Sequence, residues 1–317
     1  MFRMFVVTLA ISGYLVGAAQ PAVVISKSAS FRSDAKLVLV PVTVVDRRGA
    51  LVAAVPREAF TILEDKVSQP IVSFTNEDAP CSVGLVVDTS GSMRYSLRAA
   101  KDMAHAFFAT TNANDEFLLL TVSTQPETIS RFTNDTAALE EQIQFTKPAG
   151  MTALVDTVYL GLNKMHRAKQ PRRALLVISD GMENYSRYSK SELMQVALEA
   201  DVQIYAIITD GIASGSSGPA PFRPSLAAKP IDQARERQEP HVLEELSEKT
   251  GGLHFRVRND SEAKEAVLKI GQVLRNQYVI GYVPQNSDRS GKWHSIEVRV
   301  NRHDVKVYSR SGYRSYE

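Results

Sequence analysis

The chain has a single cysteine, Cys81, in 317 residues. One thiol cannot form an internal disulfide, and its place at the head of an apolar run predicts a buried, unreactive side chain. Histidine is also sparse. The six (His105, His166, His241, His254, His294, His303) are scattered, and none falls in the His-Glu-x-x-His spacing of zinc hydrolases. No Gly-x-x-x-x-Gly-Lys phosphate loop is present, no Gly-x-Ser-x-Gly elbow surrounds Ser90 or Ser92, and no Asp-x-Asp pair closes a strand. Those absences remove the usual sequence signatures of nucleotide, serine-hydrolase and phosphatase chemistry. No charge excess exists either: 37 basic residues against 35 acidic leave a net charge of +2. That balance makes no electrostatic case for nucleic acid or for an anionic membrane surface. Beyond the first residues, no stretch reaches the ~20 apolar residues of a membrane span.

What is present begins with a secretory pattern over residues 1–19. Arg3 supplies the positive start, residues 5–16 the apolar middle, and Gly17-Ala18-Ala19 the small-residue cleavage region. A single membrane anchor is the other reading, for which the apolar stretch is short. The mature chain is expected to be exported, periplasmic or extracellular. Its 44% hydrophobic content is enough for a sizeable core.

The hydrophobic period then divides the chain. Residues 20–80 read as a β flank, with strands at 36–44, 60–63 and 69–74; Pro41 predicts an edge strand or a bulge. From Cys81 to residue 276, strands and helices alternate, as in a doubly wound α/β sheet. Helical faces recur at Leu97, Ala100, Ala104 and Phe107, and at Leu154, Val158, Leu162 and Met165. Ser189 and Glu192 form a capping-box pattern, and Gly251-Gly252 is a helix stop. Residues 210–240, rich in Gly and Pro, interrupt as a loop, read either as a specificity loop or as a tolerated insertion. Residues 277–317 return to β character. Neither β flank is large enough to stand alone, so the two are expected to pack together. The expected fold is a doubly wound, mostly parallel α/β sheet flanked by a smaller all-β sandwich made of both termini. The basic cluster Arg167, Lys169, Arg172, Arg173 reads as a solvated helix end or a docking patch.

The stretch Asp88-Thr89-Ser90-Gly91-Ser92-Met93 follows the apolar run Ser82-Val83-Gly84-Leu85-Val86-Val87. A short unbroken run of that kind is a strand buried on both faces. Its carboxyl end is where open α/β sheets place ligands. Asp88, Ser90 and Ser92 alternate, so one turn of loop aims a carboxylate and two hydroxyls at a common point. Oxygen donors of this type suit Mg²⁺, Mn²⁺ or Ca²⁺ rather than zinc or copper. Gly150-Met151-Thr152-Ala153 opens a helix and offers the Thr152 hydroxyl. A second apolar run, residues 175–179, ends in Asp180.

Asp-x-Ser-x-Ser, then Thr, then a strand-terminal Asp-Gly, in that order, resembles the metal-ion-dependent adhesion site of the von Willebrand factor type A family. The flanks resemble those of an exported bacterial group related to it. The segment Pro41-Val42-Thr43-Val44-Val45-Asp46-Arg47-Arg48-Gly49 carries that likeness at one end. Gly281-Tyr282, Gly291-Lys292-Trp293 and Gly312-Tyr313 carry it at the other. The resemblance implies one octahedral Mg²⁺-type ion held by Asp88, Ser90, Ser92, Thr152 and Asp180. It also implies a protein partner presenting Asp or Glu to that ion, and no enzymatic activity. Arg94, Tyr95, residues 124–126, residues 182–185 and the insertion would rim the site. Glu183 is either a further ligand or a solvated loop carboxylate. A structural envelope component with a stabilising ion, and a metal-dependent hydrolase, are the rival readings.

Overall fold

A computed structural model describes residues 37–209, 212, 241–285 and 290–315. The signal-peptide reading of residues 1–19, the insertion at 210–240 apart from Ile212, and most of the turn at 286–291 lie outside the described residues.

The chain opens with β1 (Val38–Asp46), β2 (Phe60–Glu64), β3 (Val67–Gln69) and β4 (Ile71–Thr75). The alternating half follows. It runs β5 (Cys81–Asp88), α1 (Leu97–Phe108), β6 (Glu116–Val122), β7 (Glu127–Thr128), α2 (Thr136–Phe145), α3 (Leu154–Met165), β8 (Arg172–Ser179), α4 (Lys190–Glu199) and β9 (Gln203–Thr209). After the insertion come α5 (Val242–Thr250), β10 (His254–Val257) and α6 (Asp260–Arg275). The chain closes with β11 (Tyr278–Tyr282), β12 (Trp293–Val300), β13 (Val305–Ser309) and β14 (Gly312–Arg314).

The central sheet has the order β10-β9-β8-β5-β6-β7. All its pairings are parallel except β6 with β7. Unbroken apolar strands need cover on both faces, and helices supply it. Leu97 and Phe107 of α1, Ile143 of α2 and Ile270 of α6 pack on one face. Leu154 and Leu162 of α3, Leu193 of α4 and Leu246 of α5 pack on the other. Helix ends follow the sequence signals. Ser189 and Glu192 make the capping box, and Gly251 ends α5 in the left-handed conformation at φ 82.

The terminal strands interleave in two further sheets, β13-β1-β11-β4 and β14-β12-β2-β3. Val40 and Val42 of β1, Ile62 of β2, Tyr278 and Ile280 of β11, and Val298 of β12 share one core. Neither flank is a sheet without the other, because β1 pairs with β11 and β13, and β2 with β12.

Four expectations need correction. The strand carrying Pro41 is central, not an edge. Its missing N–H is tolerated because pairing with β13 begins only at Val42. The single strand expected at 69–74 is two, divided at Pro70, where the chain leaves one sheet for the other. Alternation over residues 127–132 predicts an edge strand, but the regular pairing covers only Glu127–Thr128. Arg172 and Arg173 are half-buried at the start of β8 rather than solvated.

The joint between sandwich and central sheet lies at the amino ends of β8 and β9. Gln277, buried, donates from Nε2 to Gln203 Oε1 at 2.8 Å and to Tyr205 Oη at 2.9 Å. Arg172 donates to the carbonyls of Glu77 (2.7 Å) and Leu274 (3.2 Å). The carboxyl ends of the central strands lie at the opposite end of the sheet.

Candidate metal centre

β5 and β8 run side by side, with Val87 opposite Ile178. Asp88 and Ser179 are therefore neighbours at the carboxyl edge, and Asp180 is the next residue out. Asp88 is fully buried. Its Oδ1 accepts the Ser90 N–H at 2.9 Å and its Oδ2 accepts the Ser179 hydroxyl at 2.5 Å. Ser90 Oγ lies 2.9 Å from Ser92 Oγ, so the alternation does bring the two hydroxyls together. Ser90 is buried and Ser92 exposed, which places the pair across the boundary between protein and solvent.

The Thr152 segment is zipped onto this loop by backbone bonds. Ala149 N–H donates to Thr89 O at 2.9 Å, and Gly91 N–H to Gly150 O at 3.0 Å. Gly150 turns at φ 77, and a Cβ there would come within 2.4 Å of Thr124 Oγ1. That hydroxyl accepts the Met151 N–H at 2.9 Å, so Thr124 shapes the turn from beneath. Thr152 is buried. Its N–H donates to Asn184 Oδ1 at 2.9 Å, and its carbonyl accepts from Asn184 and Tyr185, both at 3.1 Å. Three segments far apart in the chain are thus hydrogen-bonded around one carboxylate. Asp180 is half-buried and accepts the Met182 N–H at 3.0 Å.

Glu183 is half-buried, with both oxygens engaged by hydrogen bonds. Its two oxygens accept from Val155 N–H (2.8 Å), Tyr185 N–H (2.9 Å), Ser186 N–H (2.8 Å) and the Ser186 hydroxyl (2.7 Å). It thereby caps the amino end of α3, where orphan N–H groups need an acceptor. Asp156, buried in the first turn of that helix, accepts the Arg187 and Tyr188 N–H groups at 2.9 and 3.0 Å. Sequence reasoning did not single out Asp156 or Ser179, and it placed Asn184 only in the rim at 182–185. Ser179 had one available signal, a hydroxyl placed just before the strand-terminal carboxylate. The others are set by loop geometry.

Burial first, and the charge of Asp180 second, push the Asp88 carboxyl up to about 6; hydrogen bonds from Ser179 and Ser90 oppose that rise. Two carboxylates near enough to disfavour each other's ionisation make a place where added positive charge is stabilising. Among the described residues, no group of three or more His, Cys, Asp and Glu side chains is arranged to hold a metal. Any ion here therefore relies on hydroxyls as well. Asp88, Asp180, Ser90, Ser92 and Thr152 offer only oxygens, a donor set that fits a hard divalent cation. Around the site Tyr95, Tyr185 and Met151 are 57%, 52% and 47% exposed, an apolar rim on a polar floor.

Residues 83–183, which contain all five of these positions, match the family model of the von Willebrand factor type A domain. An "uncharacterized protein" of Borreliella burgdorferi is 23% identical over 199 residues, covering 60% of this chain and 57% of that protein. The chain thus spans little more than half the length of that relative. Among solved structures, a von Willebrand factor type A protein from Catenulispora acidiphila is similar in fold, with a TM-score of 0.50 at 11% identity. The match covers 90% of this chain and 75% of that one. An aerotolerance-related membrane protein from Bacteroides fragilis matches at 18% identity over 61% of this chain and 98% of its own, with a TM-score of 0.46.

Proposed function

We propose, for a chain that belongs to the von Willebrand factor type A domain family, a role as a divalent-metal-dependent protein-binding module whose partner presents an Asp or Glu side chain. The observation supporting this reading is the convergence of the 88–92, 149–152 and 179–184 segments on the buried Asp88 carboxylate. Asp88 supplies the fixed negative charge, held in place from two sides by Ser179 and the Ser90 N–H. Ser90, Ser92 and Thr152 add neutral oxygens, and Asp180 a second carboxylate. A bound Mg²⁺, Mn²⁺ or Ca²⁺ would supply net positive charge for an incoming carboxylate. The exposed Tyr95, Tyr185 and Met151 side chains would pack beside that carboxylate and exclude water from it. The one motif carboxyl raised toward neutrality, Asp88, is fully buried with its oxygens engaged by the Ser90 N–H and the Ser179 hydroxyl, so binding is preferred to catalysis. Export rests on the residue 1–19 pattern. Among the described residues, no helix is long and apolar enough to cross a membrane.

The full burial of Asp88 also suits an ion that only stabilises the fold. Calorimetric titration of Mg²⁺, Mn²⁺ and Ca²⁺ into wild type and Asp88→Ala tests the site itself; undiminished affinity in the variant would overturn it. Capture of partners from the cell envelope, with and without chelator, separates the two roles. A partner released by chelator supports adhesion. Loss of stability with chelator, and no metal-dependent partner, supports a structural ion.

A further inference from the structure

At the opposite end of the sheet from Asp88, a cavity of 270 Å³ lies between the sandwich and the central sheet. Leu39, Pro41 and Val279 form its sandwich wall, and Ala197, Leu198 and Val202 its other wall. Its polar margin is unusual. Two buried guanidinium nitrogens, Nε of Arg173 and Nε of Arg310, have no hydrogen-bond partner, and both side chains line the cavity. Arg310 is already paired through Nη1 with Asp201 at 2.6 Å. Arg173 forms no ion pair among the described residues. Those Nε atoms have almost no accessible surface, so a ligand in the cavity meets the outer nitrogens of each guanidinium, whose fork is matched by a planar carboxylate.

We propose that this cavity binds a small organic monocarboxylate with an apolar tail. Its head group accepts from Arg173 and Arg310, and its tail fills the space between Pro41, Val279 and Ala197. The charge balance limits the head group to one negative charge. Four cationic side chains, Arg172, Arg173, Lys249 and Arg310, stand against three anionic ones, Glu77, Asp78 and Asp201. One cation is in excess, and a doubly charged phosphate would meet the three carboxylates. Size limits the tail. A cavity of about 150 Å³ holds benzene, so 270 Å³ holds roughly ten heavy atoms. Because the ligand would touch sandwich and central sheet together, its binding would tighten the joint at Gln277. The proposal is independent of the metal reading, since no residue is shared.

Octanoate, with ten heavy atoms, is the probe. Calorimetry on the full chain should give a Kd below about 1 mM for octanoate, with octanol at least about tenfold weaker. Arg173→Met should abolish that preference while still admitting octanol. Equal affinity for octanoate and octanol, absence of octanoate binding at about 10 mM, or undiminished octanoate affinity in Arg173→Met would overturn the proposal. Tighter binding of octyl phosphate than of octanoate would overturn the monocarboxylate assignment. If Arg173→Met does not fold, the comparison of octanoate with octanol on wild type decides alone.

Discussion

The Ser179 hydroxyl donates to Asp88 Oδ2 at 2.5 Å, with both residues closed off from water. The bond joins the ends of two adjacent strands and satisfies an oxygen that solvent does not reach. Ser179→Ala leaves a buried carboxylate oxygen unpaired, which costs about 1–3 kcal/mol. Urea unfolding of the metal-free protein should show that loss. Because the hydroxyl also favours the ionised carboxylate, Mg²⁺ affinity should fall as well. Unchanged stability and unchanged affinity would mean that the hydroxyl is dispensable.

How far this site was readable in the sequence depends on which forces build it. Asp88, Ser90 and Ser92 follow from local rules: a strand that must be buried on both faces, and alternation in the turn after it. Asp180 follows from the same strand rule applied to β8. That the two flanks come together was readable because neither can bury a sheet face alone; that their strands interleave within both sheets was not. Asp156 was hidden, and Glu183 and Asn184 were visible only as part of the rim at 182–185, not in the roles they take. Their roles come from satisfying N–H groups of α3 and its loop, a three-dimensional need that carries no sequence period. Pro41 misled because a proline removes one donor on one side only, and the β13 ladder simply stops short of it.

Cys81 should behave as an inert thiol. Burial first, then the charge of Asp115, push it up to about 12, so thiolate at pH 8 is about one part in ten thousand. An aromatic disulfide reagent at pH 8 should label native protein at least ~100-fold more slowly than unfolded protein. Rapid stoichiometric labelling of the native chain would contradict the burial. The same shift has a sign in stability. The folded state resists ionisation while the unfolded thiol ionises near 8.5, so the thiol's contribution is undiminished below about pH 8.5 and declines above it. The stability advantage of wild type over Cys81→Ala should shrink between about pH 8.5 and 11.

Gly251 and Gly181 both have positive φ, 82 and 75, but their surroundings differ. A Cβ on Gly251 would lie 2.5 Å from the Ser309 carbonyl carbon and 2.6 Å from Arg310 N, both backbone atoms that cannot turn aside. A Cβ on Gly181 would meet only Ile208 Cγ2 at 3.6 Å, an ordinary contact. Gly181→Ala should therefore cost about 1 kcal/mol, the strain of the backbone angle alone. Gly251→Ala adds a clash with the sandwich and should cost at least about 2 kcal/mol. Equal costs in parallel urea titrations would show that the β13 end yields without penalty.

Gln277 bridges the sandwich and the central sheet. Its amide donates to Gln203 Oε1 and Tyr205 Oη, with Thr43 Oγ1 at 3.3 Å, all inside the joint. Gln277→Leu keeps the volume roughly, leaves Tyr205 Oη without its buried donor and leaves Gln203 Oε1 with only the Tyr205 hydroxyl at 3.3 Å, a cost of about 1–3 kcal/mol. The loss falls on the coupling between the halves rather than on either core. Two probes read the halves separately. The single tryptophan, Trp293, sits in β12 of the sandwich, whereas every α-helix among the described residues packs on the central sheet. In wild type, tryptophan fluorescence and far-ultraviolet circular dichroism should follow one urea transition. In Gln277→Leu the fluorescence transition should move to lower urea and separate from the helical one, because a small sandwich stripped of its joint has little core of its own. Coincident transitions in the variant would show that the remaining contacts across the joint, such as Arg310 with Asp201 and Ser311 N–H with the Lys249 carbonyl, suffice to hold the two halves as one cooperative unit.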